Sequence, residues 1–435
     1  MKLAPLALSG IVSCLHAGAA RAAPKPYSPY AKLDVFARVL AHVENHHVAE
    51  IDEEKLIDAA IRGMLASLDP HTTYLTPSEN RSMHAETKGE FGGIGLEVEF
   101  RDGGLVVVSP IEGTPADRAG LRTGDRLVAI DGATTKGLLM ADVLRLIRGP
   151  AGSKVALTLM RDAWPEPRDV TLTREIIQLV SVTSRALEPG IGYLRIKSFP
   201  ERTEHALREE MEKLLGASGG ALRGLVLDLR NNPGGLLDQA VRVADAFVES
   251  GLLVRTVGRG GRVLDEEKAH RKDTYVGFPM VALVNAGTAS AAEIVAGALQ
   301  DHARAVIVGS PTFGKGSVQT IIDFDDGSAL KLTVARYTTP SGKSIQERGI
   351  APDVLVEDAR PPPAGAPVAP AVREKDLAGH LRFDGASAEP PPEAASARPT
   401  GRAASAREAG PASDDPHVRR AVEILRAYSI LRSTP

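Results

Sequence analysis

Residues 281–319 read VALVNAGTASAAEIVAGALQDHARAVIVGSPTFGKGSVQ. The apolar run from Met280 to Val284 has strand character, and Asn285-Ala286-Gly287-Thr288 breaks it with a tight loop of small residues. Beyond Ser290, the residues Ile294, Val295, Ala298 and Leu299 recur at helical spacing. A second apolar run, 305–308, leads into Gly309-Ser310-Pro311 and Gly314-Lys315-Gly316. The stretch therefore predicts strand, loop, helix, strand, glycine loop and strand. Ser290 at the helix start and Lys315 in the glycine loop are placed by turns, not by packing.

Working outward, the same alternation extends upstream. Leu225-Val226-Leu227-Asp228-Leu229 is nearly all apolar, as suits a strand covered on both faces. Arg230-Asn231-Asn232-Pro233-Gly234-Gly235 ends it, and amphipathic helices are expected over 203–215 and 237–249. Antiparallel strands follow over 327–336. Residues 178–357 thus read as an α/β layered domain. Residues 88–177 differ, with short alternating strands, two helices and many glycines, and suggest a small, partly open β-barrel. Ahead of them, 24–87 carries helical spacing through Leu33, Phe36, Val39 and Leu40, then Leu56, Ile57, Ala60 and Ile61. Residues 358–415, with Pro361-Pro362-Pro363 and Pro390-Pro391-Pro392, read as a Pro/Ala-rich linker that buries no core. A terminal amphipathic helix is expected over 416–435.

With 435 residues, two or three domains are expected, and the 43% hydrophobic fraction suffices for their cores. The 52 basic and 55 acidic side chains leave a net charge of −3, which argues against nucleic acid as a partner. The single cysteine, Cys14, excludes an intrachain disulfide or thiolate metal site, and neither metal nor cofactor is expected. Residues 1–23 pair Lys2 with a short apolar run and small residues around Ala20-Arg21-Ala22, the outline of a signal peptide for export. Ile11-Val12-Ser13-Cys14 also resembles a loose lipobox that would lipidate Cys14, although the preceding apolar run is short for one.

Two chemistries compete for the central stretch. Residues 309–315 match the opening of a nucleotide-binding loop, but that loop needs Ser or Thr next and has Gly316. Residues 317–322 also alternate like a strand where that loop would open a helix. Acyl transfer fits better. Small neighbours let a carbonyl approach Ser290, and the N–H groups of the helix start favour an oxyanion. Lys315 serves as base if burial keeps it partly neutral. Gln319 lies four residues on along an extended segment, so both side chains project to one face. His302 lies roughly 18 Å down the helix from Ser290 at 1.5 Å per residue, which disfavours a serine triad. Glu293 reads as a first-turn acid favoured by the helix dipole.

The motifs VALVNAGTASAAEIVAGALQD, GSPTFGKGSVQ and LDLRNNPGG together resemble the carboxy-terminal processing proteases, tail-specific serine peptidases with a PDZ domain. TPADRAGLRTGDRLVAIDG is similar to a PDZ core, and GGIGLEV to its carboxylate-binding loop. The resemblance implies a PDZ-like barrel beside a crotonase/ClpP-like layered peptidase core. It implies Ser290 as nucleophile, Lys315 as general base and Gln319 as its orienting partner. An oxyanion hole would form from Ala291 and either Gly234 or Gly235. Gly93, Ile94, Gly95 and Leu96 would hold the carboxylate of an apolar, unstructured C-terminal tail added to the sheet edge. Implied too are processing or turnover of envelope proteins in the periplasm, a lipoprotein adaptor and a homo-oligomer. The rival is a catalytically inert PDZ scaffold or chaperone, against which the intact Ser290, Lys315 and Gln319 argue.

Overall fold

The computed structural model describes residues 29–101, 103–356, 372–382 and 415–433. The expected signal peptide, Cys14 and most of the proline-rich stretch lie outside them. The chain divides into two units, Met1–Ala60 and Ile61–Pro435. In the first, helix Pro29–His46 leaves Leu33, Phe36 and Val39 exposed.

The second unit holds a mixed six-stranded sheet in the order Val182–Glu188, Ile191–Ile196, Gly224–Asp228, Met280–Val284, Ala305–Gly309 and Val354–Leu355. All neighbours run parallel except the first pair. Every residue of Gly224–Asp228 and of Met280–Val284 is buried, because both faces of the sheet are covered. The period-two alternation sorts them. Leu225, Leu227, Ala282 and Val284 pack into the core shared with helices Thr203–Ala217, Leu237–Asp245 and Ala291–Asp301. Val226, Val281 and Leu283 point the other way, against Val418, Ala421, Val422 and Leu425 of helix Pro416–Ser433.

That terminal helix is fastened by charge as well. Buried Asp228 accepts from Tyr193 Oη (2.7 Å) and Arg230 Nη2 (2.6 Å), and Arg230 reaches Asp415 at 2.8 Å. Burial opposes the Arg230 charge, but the two carboxylates outweigh it and hold the guanidinium ionised. Asp415→Ala should therefore cost about 2 kcal/mol of stability, read as a lower urea midpoint at unchanged m-value. A midpoint equal to that of the parent chain would show the helix held by its apolar face alone.

A second sheet joins Thr73–Leu75, Ala329–Thr338, Gly251–Val257 and Val263–Ala269, with Ser317–Asp323 also paired to Ala329–Thr338. The glycine-rich domain forms its own sheet from Leu96–Arg101, Gly104–Pro110, Arg126–Ile130, Lys154–Met160 and Arg168–Thr173, with the short Ala133–Thr134 beside the third. Where the sequence suggested a partly open barrel, this sheet stays open: Leu96–Arg101 and Arg168–Thr173 do not pair and remain its edges. One correction concerns the expected linker. Within residues 372–382 Glu374 is wholly buried, against His71 and Gln346.

Candidate active site

The serine turn is built by side chains that replace missing backbone partners. Asn285 Oδ1 accepts from Gly287 N (3.1 Å) and Asn231 N (2.9 Å), while Thr288 Oγ1 donates to Leu229 O (2.8 Å). The turn is thereby tied to the loop 230–235. Ser290 sits at φ 55°, ψ −118°, a costly conformation for a residue with a Cβ. It is held there from both sides: Ala289 N donates to Asn232 O (2.9 Å), and Ser290 N to Glu293 Oε2 (2.8 Å). Helix Ala291–Asp301 starts at the next residue.

Gly234 and Gly235 part company here. Gly234 has φ +101°, and a Cβ on it would lie 2.9 Å from Ser290 Cβ, so only glycine lets this loop touch the serine turn. Its N–H is already donated to Asn232 Oδ1 at 2.9 Å. The N–H groups of Gly235 and Ala291 have no hydrogen-bond partner among the described residues.

The lysine loop is organised by Glu293, which is wholly buried. Its carboxylate accepts from Thr312 Oγ1 (2.5 Å), Gly314 N (2.7 Å), Lys315 N (2.9 Å) and Ser290 N (2.8 Å). One carboxylate thus joins the serine turn to the lysine loop. Burial pushes it up to about 7, against the four donors that favour the anion. The nucleotide reading fails on the same geometry: the amides of Gly314 and Lys315 are filled by the chain's own anion, and the loop opens strand Ser317–Asp323.

Lys315 Nζ donates to Gln319 Oε1 at 2.9 Å. Gln319 Nε2 in turn donates to Ser317 Oγ (2.9 Å) and Thr333 Oγ1 (3.3 Å), which leaves its oxygen facing the lysine. Thr333 Oγ1 passes the chain on to Asp69 Oδ1 at 3.0 Å. Burial, helped by Lys331, lowers the Lys315 ammonium to about 8. An amine poised so close to neutrality can take up a proton near physiological pH.

Two parts of this site escaped the sequence reading. The turn Asp69-Pro70-His71-Thr72 braces Gln319 through Asp69 and pairs His71 Nε2 with Glu374 at 2.8 Å. Glu293 was legible only as a first-turn acid. His302 caps its helix and meets Leu252 O at 2.7 Å, as its place at the helix end suggested.

In the PDZ-like domain Ile94 is fully buried, and its carbonyl accepts from Ala116 N at 2.9 Å. Gly95 has φ +74°, with Thr114 side-chain atoms 2.3 Å from where a Cβ would stand. Gly93 ends strand Glu90–Gly93, which pairs with Glu175–Gln178, and Leu96 opens the edge strand. These four residues therefore lead into a strand whose outer edge is unpaired among the described residues.

Residues 190–356 match peptidase family S41, and residues 106–161 match the PDZ domain. The chain is 44% identical to the carboxy-terminal-processing protease of Bartonella bacilliformis, over 81% of each chain. It is 38% identical to the carboxy-terminal processing protease CtpA of Bacillus subtilis, over 75% of this chain and 69% of that one. The solved photosystem II D1 C-terminal processing protease is 36% identical, with a TM-score of 0.46 over 74% of this chain and 92% of that one.

Proposed function

The chain belongs to peptidase family S41 as a carboxy-terminal processing serine protease with a PDZ domain, and from that premise we propose that a Ser290–Lys315 dyad performs the cleavage. The observation that carries this reading is the poised amine of Lys315, aimed by Gln319 and joined to the serine turn through Glu293. Neutral Lys315 accepts the Ser290 Oγ proton as the oxygen attacks the scissile carbonyl. The tetrahedral oxyanion is received by the N–H of Ala291 and the N–H of Gly235, since that of Gly234 is spent on Asn232. The ammonium then protonates the departing amine. Water, deprotonated by the same lysine, releases the acyl group and restores Ser290.

The PDZ domain selects the substrate in this account, taking an apolar tail on the edge of Leu96–Arg101 with its carboxylate near Ile94-Gly95-Leu96. The outline of residues 1–23 supports export, and so envelope proteins as substrates.

The pH dependence tests the base. For a peptide ending in apolar residues, kcat/KM should rise tenfold per pH unit and level off above about 8. A flat profile between about pH 6 and 9 would remove Lys315 from the role. Amidating the peptide's C-terminus should raise KM about tenfold with kcat little changed. An unaltered KM would take carboxylate capture away from the PDZ loop.

A further inference from the structure

We propose that residues 372–382 form a strap belonging to the peptidase site, and that Glu374 on it is a positioning residue for Lys315. The inference rests on the reading of Lys315 as the general base. The strap comes from a stretch whose composition predicts no packing, yet Glu374 is wholly buried there. His71 Nε2 lies 2.9 and 2.8 Å from its two carboxylate oxygens, and Gln346 Nε2 donates to it at 3.0 Å.

Those contacts converge on the loop that carries the lysine. Gln346, itself fully buried, accepts from Gly316 N at 3.0 Å, so Glu374 fixes the acceptor of the residue after Lys315. Glu374 N donates to Phe313 O (3.1 Å), and Arg373 Nε to Thr312 O (3.1 Å). Glu293 meanwhile takes Thr312 Oγ1, Gly314 N and Lys315 N. The loop 312–316 is therefore gripped by two buried carboxylates, one from helix Ala291–Asp301 and one from the strap. The far end of the strap is anchored by His380 Nε2, 2.7 Å from Glu347 Oε1.

The charges around the amine give this grip an electrostatic signature. Lys331 disfavours the ammonium, whereas Glu374, Glu293 and Asp69 favour it. Around Glu374 itself stand His71 and Gln346, with Arg373, Lys375 and Asp376 on the strap. Replacing the Glu374 carboxylate by a neutral amide removes one of three anions facing Lys315. The acid limb of kcat/KM should then move to lower pH, because the ammonium loses a stabilising partner.

Glu374→Gln in the full chain, assayed from pH 6 to 9 on one apolar-tailed peptide, tests the proposal. Expected is an acid limb shifted down by about half a pH unit or more, with plateau kcat reduced several-fold and KM nearly unchanged. Glu374→Asp, which keeps the charge but withdraws it by one methylene, should lower plateau kcat and leave the limb close to its parent position. If the glutamine variant does not fold, Glu374→Ala, which also removes the charge, carries the test on the same limb. A parent-like limb and parent-like kcat in the variants would overturn the proposal, as would a loss of kcat in Glu374→Gln with the limb unmoved, which marks mere scaffolding. Failure of the base reading looks different: the parent itself would lack the limb, and Lys315→Ala would keep cleaving.

Discussion

Ser290→Ala and Lys315→Ala should each lower kcat/KM on an apolar-tailed peptide by about 1,000- to 10,000-fold. The first removes the attacking oxygen, and the second removes the amine that burial lowers to about 8, so that a fraction of it is neutral at physiological pH. Because the two act as one unit, the double variant should be no slower than either single one. Neither variant should lose stability. Ser290 occupies a strained conformation that alanine can also adopt under the same constraints, and Lys315 is an amine whose charge the fold opposes. A fully folded Lys315→Ala protein with parent-like turnover would refute the dyad.

Glu293→Ala carries the second large effect, and it acts on fold and chemistry together. Four donors lose their only acceptor at once: Ser290 N, Thr312 Oγ1, Gly314 N and Lys315 N. Leaving several buried donors unpaired costs about 3–5 kcal/mol, which urea unfolding would register. Activity should fall even in the folded fraction, because the serine turn and the lysine loop are no longer held by a common anchor. Glu293→Gln keeps the volume but turns an NH2 toward donors, so it should be nearly as damaging. The pH behaviour separates the two roles of this carboxyl. Its folded value, about 7, lies above the unfolded one, so its stabilising contribution is full in acid and is lost as pH rises through about 7. In Glu293→Gln that part of the stability–pH slope should vanish. Unchanged unfolding and turnover in both variants would show that the shared anchor is dispensable.

How much of this was legible in the chain follows from the range over which each feature is encoded. The strand–turn–helix–strand order around Ser290 is local, and apolar runs with small-residue breaks predict it residue by residue. The parallel sheet follows from strands such as 225–229, apolar but for Asp228. The pairing of Lys315 with Gln319 needs only the two-residue repeat of an extended segment, and the structure closes it at 2.9 Å. Glu293 was visible as a helix-start acid, but that its carboxylate would be filled from a loop about twenty residues on depends on tertiary packing. That Gly234 N is donated to Asn232 Oδ1 while Gly235 N is not is a difference which no spacing rule encodes.

The contact of His71 with Glu374 spans 303 residues, so no local pattern could suggest it. Composition misled as well. Averaged over 358–415, prolines and alanines hide Arg373-Glu374-Lys375-Asp376-Leu377, a short charged island without proline. A window of that length would have singled it out as unlike its surroundings, though not where it packs. The strand content of the glycine-rich domain is local and legible, and the openness of its sheet is set by its first and last strands, which do not pair.

The most direct test of the dyad is the reaction of Ser290 with an aryl sulfonyl fluoride, followed by intact and peptide mass spectrometry across a pH series. Expected is one adduct, on Ser290, forming at a rate that follows a single deprotonation near pH 8 and collapses in Lys315→Ala. Labelling of another residue, or parent-like labelling of Ser290 in Lys315→Ala, would contradict it.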